Sequence, residues 1–237
     1  MATAVFQRIE KKYLITKAQC EGFLKAMEPY IMPDEYGEYS PASIYFDTPD
    51  WTLARRSIGG PVFKEKFRLR TYGVPTDDSP AFLEIKRKYD GVVYKRRVTM
   101  PYREAYRYLQ GDFRPADDSQ IFKEIERFRE FYGIRPAMLV ACERRAFKAR
   151  EGDGVRLTID KNIRCRREDL DLSHGFHGTP LFDENLYLME IKIAGAMPLP
   201  MAEALTELKI YPRGFSKYGS FYKKKLAEEQ ELCLNLY

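Results

Sequence analysis

The sequence is poor in the residues that most nucleophilic and metal chemistry needs. It has only two histidines, His174 and His177, and neither has a plausible serine or cysteine partner nearby, so a Ser–His or Cys–His triad is not expected. Both lie in a loop, His174-Gly175-Phe176-His177, without a matching cysteine or carboxylate set, so no metal site is expected there. The four cysteines (Cys20, Cys142, Cys165, Cys233) are scattered, with no Cys-x-x-Cys. That pattern argues against a disulfide scaffold or zinc ribbon and fits a reducing cytoplasm. No Gly-x-x-x-x-Gly-Lys-Ser/Thr occurs, which excludes a P-loop. No apolar run approaches the ~18 residues of a membrane helix, and Met1–Arg8 has no apolar region of a secretory signal. Low-complexity segments, long linkers and strong repeats are also lacking.

What is present is enough for a packed core. The 237 residues are 44% hydrophobic and 14% aromatic, and residues 1–237 read as a single domain. Charged residues make up 32%, with 40 Lys and Arg against 35 Asp and Glu, a net +5. That excess is modest, so the position of the cations matters more than their number.

Several segments alternate charged and apolar residues, the period of a strand with two unlike faces. In residues 5–15, Arg8, Glu10 and Lys12 oppose Val5, Ile9, Tyr13 and Ile15. In 62–72, Lys64, Lys66, Arg68 and Arg70 oppose Phe63, Phe67 and Leu69; in 81–88, Glu84, Lys86 and Lys88 oppose Leu83 and Ile85. Asp90-Gly91 predicts a tight hairpin into 92–99. Strands are also expected at 42–48, at 138–148 with Cys142 and Arg144 on one face, at 155–163 with Arg156, Thr158 and Asp160 on one face, and at 186–193 with Glu190 and Lys192 on one face. Helices are expected at 17–28 behind Thr16, at a short segment opened by Pro49, and at 102–110, 118–132, 200–210 and 219–234, with an irregular excursion over 165–184. The sum is an α+β fold of about eight mostly antiparallel strands with helices packed outside.

The charged faces of these strands carry eleven cations (Arg8, Lys12, Lys64, Lys66, Arg68, Arg70, Lys86, Lys88, Arg144, Arg156, Lys192) and four acids (Glu10, Glu84, Asp160, Glu190). A solvated face ordinarily mixes signs. If the helices cover the apolar face, the cationic face can curl round an interior, and eight strands suffice to close a barrel holding one small ligand. Cations gathered in a low-dielectric space need an anion of high charge density, and several phosphates in a row suit Arg and Lys better than one carboxylate. Glu84 and Asp160 read as ion-pair partners of neighbouring cations. Glu190, and after it Glu10, read as ligands for Mg²⁺ or Mn²⁺ bridging phosphate oxygens.

In their order along the chain, Phe6-Gln7-Arg8-Ile9-Glu10-Lys11-Lys12-Tyr13, Ser43-Ile44-Tyr45-Phe46-Asp47-Thr48, Phe67-Arg68-Leu69-Arg70, Leu83-Glu84-Ile85-Lys86, Glu143-Arg144-Arg145-Ala146-Phe147, Arg156-Leu157-Thr158-Ile159-Asp160, Leu188-Met189-Glu190-Ile191-Lys192 and Phe215-Ser216-Lys217-Tyr218 resemble the triphosphate tunnel metalloenzyme superfamily. Within it they look like the VTC branch, the catalytic domain of polyphosphate polymerases. The resemblance implies an antiparallel eight-stranded β-barrel tunnel that binds triphosphate or polyphosphate with a divalent cation. It implies that Arg68, Arg70, Lys86, Arg144 and Lys217 hold phosphates, with Lys12 and Lys95 as additions, Ser216 beside Lys217, and Glu190 as metal ligand. Three positions depart from the superfamily pattern: Arg8 stands where simple triphosphatases carry an acid, Lys88 where His is frequent, and Cys142 where Tyr precedes the key Arg.

The expected activity is transfer of the ATP γ-phosphoryl group to a growing inorganic polyphosphate chain. Hydrolysis of triphosphate and non-catalytic sensing of polyphosphate remain open as alternatives. Nucleic acid is the weaker partner, because Tyr and Phe fall mainly on the apolar parity, away from the cations.

Overall fold

The computed structural model describes residues 9–152 and 154–234, with side chains described as far as 226. Arg8, the rest of the N-terminal segment read above and the Cys233 side chain lie outside the described residues.

The chain divides into two compact units. The first takes the residues up to Ser40, Cys142–Ile163 and Phe182–Phe215; the second takes Pro41–Ala141, Arg164–Leu181 and the residues from Ser216 onward. Every strand pairing described is antiparallel.

In the first unit, β1 (Ile9–Thr16) pairs with β10 (Leu186–Ile193), and β10 with β8 (Val155–Arg166). Here β2 (Ile31–Tyr39) pairs with the second half of β7 (Arg135–Ala149). Tyr13, Ile15, Leu157, Ile159, Met189 and Ile191 face one side and pack under α1 (Lys17–Met27) and α5 (Leu199–Glu207) through Phe23, Met27, Met201 and Leu205. The start of α1 is fixed by a capping box. Thr16 Oγ1 accepts from the Gln19 N–H at 3.2 Å, and Gln19 Oε1 accepts from the Thr16 N–H at 3.0 Å.

In the second unit, the first half of β7 pairs with β3 (Pro41–Asp47), followed in order by β4 (Phe63–Tyr72), β5 (Pro80–Tyr89) and β6 (Val92–Pro101). Asp90 and Gly91 both take positive φ, 42° and 82°, the two-residue turn whose twist matches that of a hairpin. Ile44, Phe67, Leu69, Leu83 and Ile85 pack against α3 (Tyr102–Gln110) and α4 (Gln120–Tyr132) through Ala105, Tyr108, Phe122, Ile125 and Phe128. Ser119 caps α4 and Gly133 ends it in the left-handed region. Two further helices, α2 (Thr52–Ile58) and α6 (Lys217–Leu234), complete this unit.

The α+β class, the antiparallel strands and the helices on the apolar faces are as the residues indicate. Four details differ. Among the described residues there are ten strands rather than about eight. One addition is β2, whose Pro33 and Gly37 hide the alternation and whose pairing shifts register between Pro33 and Glu38. The other is β9 (Thr179–Pro180), two residues paired to β8 within the expected excursion. Among the described residues the sheet is not closed by hydrogen bonds: β1 and β6 are edge strands. Finally, α2 starts at Thr52 behind a left-handed Trp51 rather than at Pro49, and α6 starts at Lys217 because Ser216 Oγ accepts from the Gly219 N–H at 3.1 Å.

Asp47 ties these pieces of the second unit together. It is 1% exposed, and its Oδ1 accepts from the N–H groups of Thr48 and Leu53, each at 2.8 Å. Its Oδ2 accepts from the Ala54 N–H at 2.9 Å and from the Tyr218 hydroxyl. Asp47→Ala leaves these donors without a carboxylate and is expected to cost about 2–4 kcal/mol in urea unfolding; Tyr218→Phe, which removes one donor, is expected to cost about 1 kcal/mol.

Candidate functional site

The register of β4, β5 and β6 lines up like charges. Lys66 stands opposite Lys86, and Lys86 opposite Lys95. The next row is Arg68, Glu84 and Arg97; beyond it Arg70 faces Phe82; on the other side Lys64 faces Lys88. Directly opposed residues of an antiparallel pair share a face, and like charges so placed repel.

Glu84 is the acid within these rows, and its side chain is 1% exposed. Arg68 reaches its Oε2 through Nε at 2.7 Å and Nη2 at 2.6 Å; Arg97 Nε and Lys95 Nζ reach Oε1 at 2.7 and 2.6 Å. Burial alone would raise the Glu84 pKa, but Arg68, Arg70 and Lys95 outweigh it and hold the carboxyl well below its usual range. Burial lowers Arg70, with Arg68 adding to the effect, and burial also outweighs Glu84 at Lys95. At Arg68 burial is outweighed instead by Tyr45 and Glu84, which raise its pKa. The expected ion-pair role of Glu84 is what the structure shows.

Aromatic groups join this face. Tyr45 sits opposite Arg68 in the register, its hydroxyl accepts from Arg68 Nη1 at 3.2 Å, and its ring stacks on Tyr218 with centroids 4.8 Å apart. Lys66 Nζ donates to Ser216 Oγ at 2.7 Å and stands 5.9 Å from the Tyr218 ring centroid. Arg97 lies over Phe82 at 4.3 Å, and Arg70 Nε donates to Ser43 Oγ at 3.1 Å. Burial would raise the Tyr45 pKa, but Arg68, Arg70 and Lys66 outweigh it and bring it down to about 8. Thus Arg68, Arg70, Lys66, Lys86, Lys95 and Ser216 are brought together on one side of this unit. Lys88 lies one row from Lys86 on the same strand face, and Lys217 opens α6 beside Ser216. Sequence reasoning missed Tyr45, Arg97 and Ser43 as members of this face. The alternation Ser43–Ile44–Tyr45–Phe46 and the spacing of Arg97 from Lys95 carried the signal.

In the first unit the signs mix. One row is Glu10, Lys192 and Arg156; the next is Lys12, Glu190 and Thr158; the third is Leu14, Leu188 and Asp160. Lys12 Nζ lies 3.2 Å from Glu10 Oε1 and 3.5 Å from Glu190 Oε1, and donates to the Phe215 carbonyl at 3.3 Å. Lys192 Nζ lies 3.7 Å from Glu10 Oε2. Arg144 grips the fully buried Asp160 with Nε–Oδ1 at 2.5 Å and Nη2–Oδ2 at 2.7 Å. Burial would lower the Arg144 pKa, but Asp160 outweighs it and raises it well above its usual value. Arg156 pairs with Asp34 at 3.2 Å, and its side chain is 45% exposed. Cys142 is buried near Arg144 on β7.

Among the described residues, no three His, Cys, Asp or Glu side chains are grouped so as to hold a metal by themselves. Glu10 and Glu190, both near Lys12, supply two hard carboxylates, the donor type that suits a hard divalent cation.

The VTC domain family model matches residues 7–225, so the chain belongs to that family. It is 25% identical over 217 residues to the vacuolar transporter chaperone complex subunit 4 of Trypanosoma brucei brucei, covering 75% of this chain and 27% of that protein. The same subunit of Trypanosoma cruzi is 25% identical over 162 residues, covering 56% of this chain and 20% of that protein. The chain therefore spans about a quarter of the length of these relatives. Two solved structures share the fold at low identity. A Bacillus halodurans protein described as a candidate adenylate cyclase gives a TM-score of 0.55 at 14% identity, covering 88% of this chain and 93% of its own. A candidate adenylyl cyclase from Hippeastrum, described as having a dominant triphosphatase activity, gives 0.50 at 15% identity, covering 92% and 96%.

The low Tyr45 pKa is directly measurable. Titration of the ultraviolet phenolate absorbance is expected to show one tyrosine with a midpoint of about 8, lost in Tyr45→Phe.

Proposed function

We propose that this VTC-domain chain binds the triphosphate of ATP and linear inorganic polyphosphate, and transfers the ATP γ-phosphoryl group to the end of the polyphosphate chain. A terminal polyphosphate oxygen attacks the γ-phosphorus, the bond from that phosphorus to the β,γ-bridging oxygen breaks, and ADP leaves. Such a transfer needs in-line positioning and charge neutralisation rather than a protein nucleophile. The observation that supports this most is the Lys66–Lys86–Lys95 row, three ammonium groups in direct cross-strand register.

In this reading Arg68, Arg70, Lys86 and Lys217 of the second unit, and Lys12 and Arg144 of the first, act on phosphoryl groups by charge neutralisation. Arg8, Lys66, Lys88, Lys95, Arg156, Lys192 and Ser216 hold the neighbouring phosphates. Arg contributes paired donors and Lys point charges. Glu190 and Glu10 hold Mg²⁺ or Mn²⁺, which when bound supplies further neutralisation of phosphate oxygens. The chain would act as one functional domain in the cytoplasm, with inorganic phosphates rather than nucleic acid as its ligands. Among the described residues no helix is long and apolar enough to cross a membrane.

The test is incubation of the full chain with ATP and Mn²⁺, followed by gel separation of polyphosphate and assay of orthophosphate. Chain growth is expected, with a loss on the order of a hundredfold in Lys86→Ala or Glu190→Ala. Orthophosphate without chain growth would identify a triphosphatase instead, and the absence of both products would overturn the enzymatic reading.

A further inference from the structure

Thr158 in the first unit is 4% exposed, yet among the described residues its Oγ1 has no hydrogen-bond partner. Its strand neighbours Leu157 and Ile159 turn the other way, into the core under α1 and α5. Thr158 therefore shares its face with Arg156 and Asp160, and stands directly opposite Glu190, which stands opposite Lys12. Valine has the same shape and an equal preference for strands, and would fill this position without burying a polar group. Buried hydroxyls are normally partnered, and one that is not lowers stability.

We infer that Thr158 Oγ1 is a phosphate-binding group, donating its hydrogen to a phosphoryl oxygen of a polyphosphate held at Lys12. The inference rests on the polyphosphate-binding reading above and adds to it a neutral donor within a row that otherwise holds a cation and an acid. Lys12 attracts the polyanion by charge. Glu190 repels it unless the carboxylate is offset by Lys12 or by a divalent ion. A hydroxyl supplies a directional bond at no cost in net charge, so it fixes where a phosphoryl oxygen sits between these two opposing fields.

The experiment is calorimetric titration of the full chain with sodium tripolyphosphate, in Mg²⁺ and in EDTA, for the unsubstituted protein, Thr158→Val and Thr158→Ser. Thr158→Val is expected to bind about tenfold more weakly in both buffers, and Thr158→Ser to stay within about twofold, since it keeps the donor. Without anion, Thr158→Val is expected to unfold at the same temperature or higher, because it removes an unpaired buried hydroxyl. Equal affinity of Thr158→Val and the unsubstituted protein overturns the inference and leaves polyphosphate binding intact. A deficit confined to Mg²⁺ also overturns it, assigning the hydroxyl to the water shell of the ion. So does a loss of stability in Thr158→Val without anion, which would mean that the fold already uses the hydroxyl. Failure of the unsubstituted protein to bind tripolyphosphate in either buffer overturns the underlying reading as well.

Discussion

A single carboxylate shut away from water makes the cationic rows of β4, β5 and β6 possible. Two unit charges 4 Å apart interact by about 4 kcal/mol near a protein surface, so lysines and arginines in direct register oppose folding unless something offsets them. Glu84 does this for Arg68, Arg97 and Lys95 at once, with contacts of 2.5–2.7 Å. One negative charge thus meets three positive ones within these rows.

The same carboxylate also orients what it holds. Arg68 uses Nε and Nη2 on Glu84 and Nη1 on Tyr45, which locks the guanidinium plane and leaves one N–H on each terminal nitrogen outside those bonds. Tyr45 is itself held by its stack on Tyr218, whose hydroxyl is held by Asp47. A chain of contacts therefore runs from a helix-capping carboxylate to the Arg68 guanidinium. Preorganisation of this kind lowers the ordering cost of binding and favours ligands whose charge sits where the donors already point.

The strand faces were legible wherever a strand was long and unbroken. In β4 the parity of Lys64, Lys66, Arg68 and Arg70 against Phe67 and Leu69 is what the burial shows, because one face has to lie under α4. β2 was not legible, since Pro33, Asp34 and Gly37 interrupt alternation and a bulge absorbs the mismatch in pairing. The aromatic members of the cationic face were also hidden. Tyr45 and Tyr218 come from distant parts of the chain, and no local pattern announces a stack between a strand and the first turn of a helix. The lack of a partner for Thr158 is likewise invisible in sequence, because Thr is at home in any strand.

The four acids on the charged faces are not equivalent, and their geometry explains why the proposed ion is assigned to only two of them. Both oxygens of Asp160 are taken by Arg144 at 2.5 and 2.7 Å, and both oxygens of Glu84 by Arg68, Arg97 and Lys95. These carboxylates are buried and joined to guanidinium groups, so withdrawing either from its partner would leave an uncompensated buried charge, a change that costs several kcal/mol. Glu10 and Glu190 instead meet a lysine at 3.2 and 3.5 Å and retain 26% and 12% of their side-chain surface. An ammonium group on a flexible stem can swing toward an incoming phosphate and yield its place to a harder cation without breaking a bidentate pair. The two pairs thus differ in burial and in contact: guanidinium groups grip Asp160 and Glu84 at 2.5–2.7 Å, whereas the lysine contacts of Glu10 and Glu190 are longer and their side chains less buried.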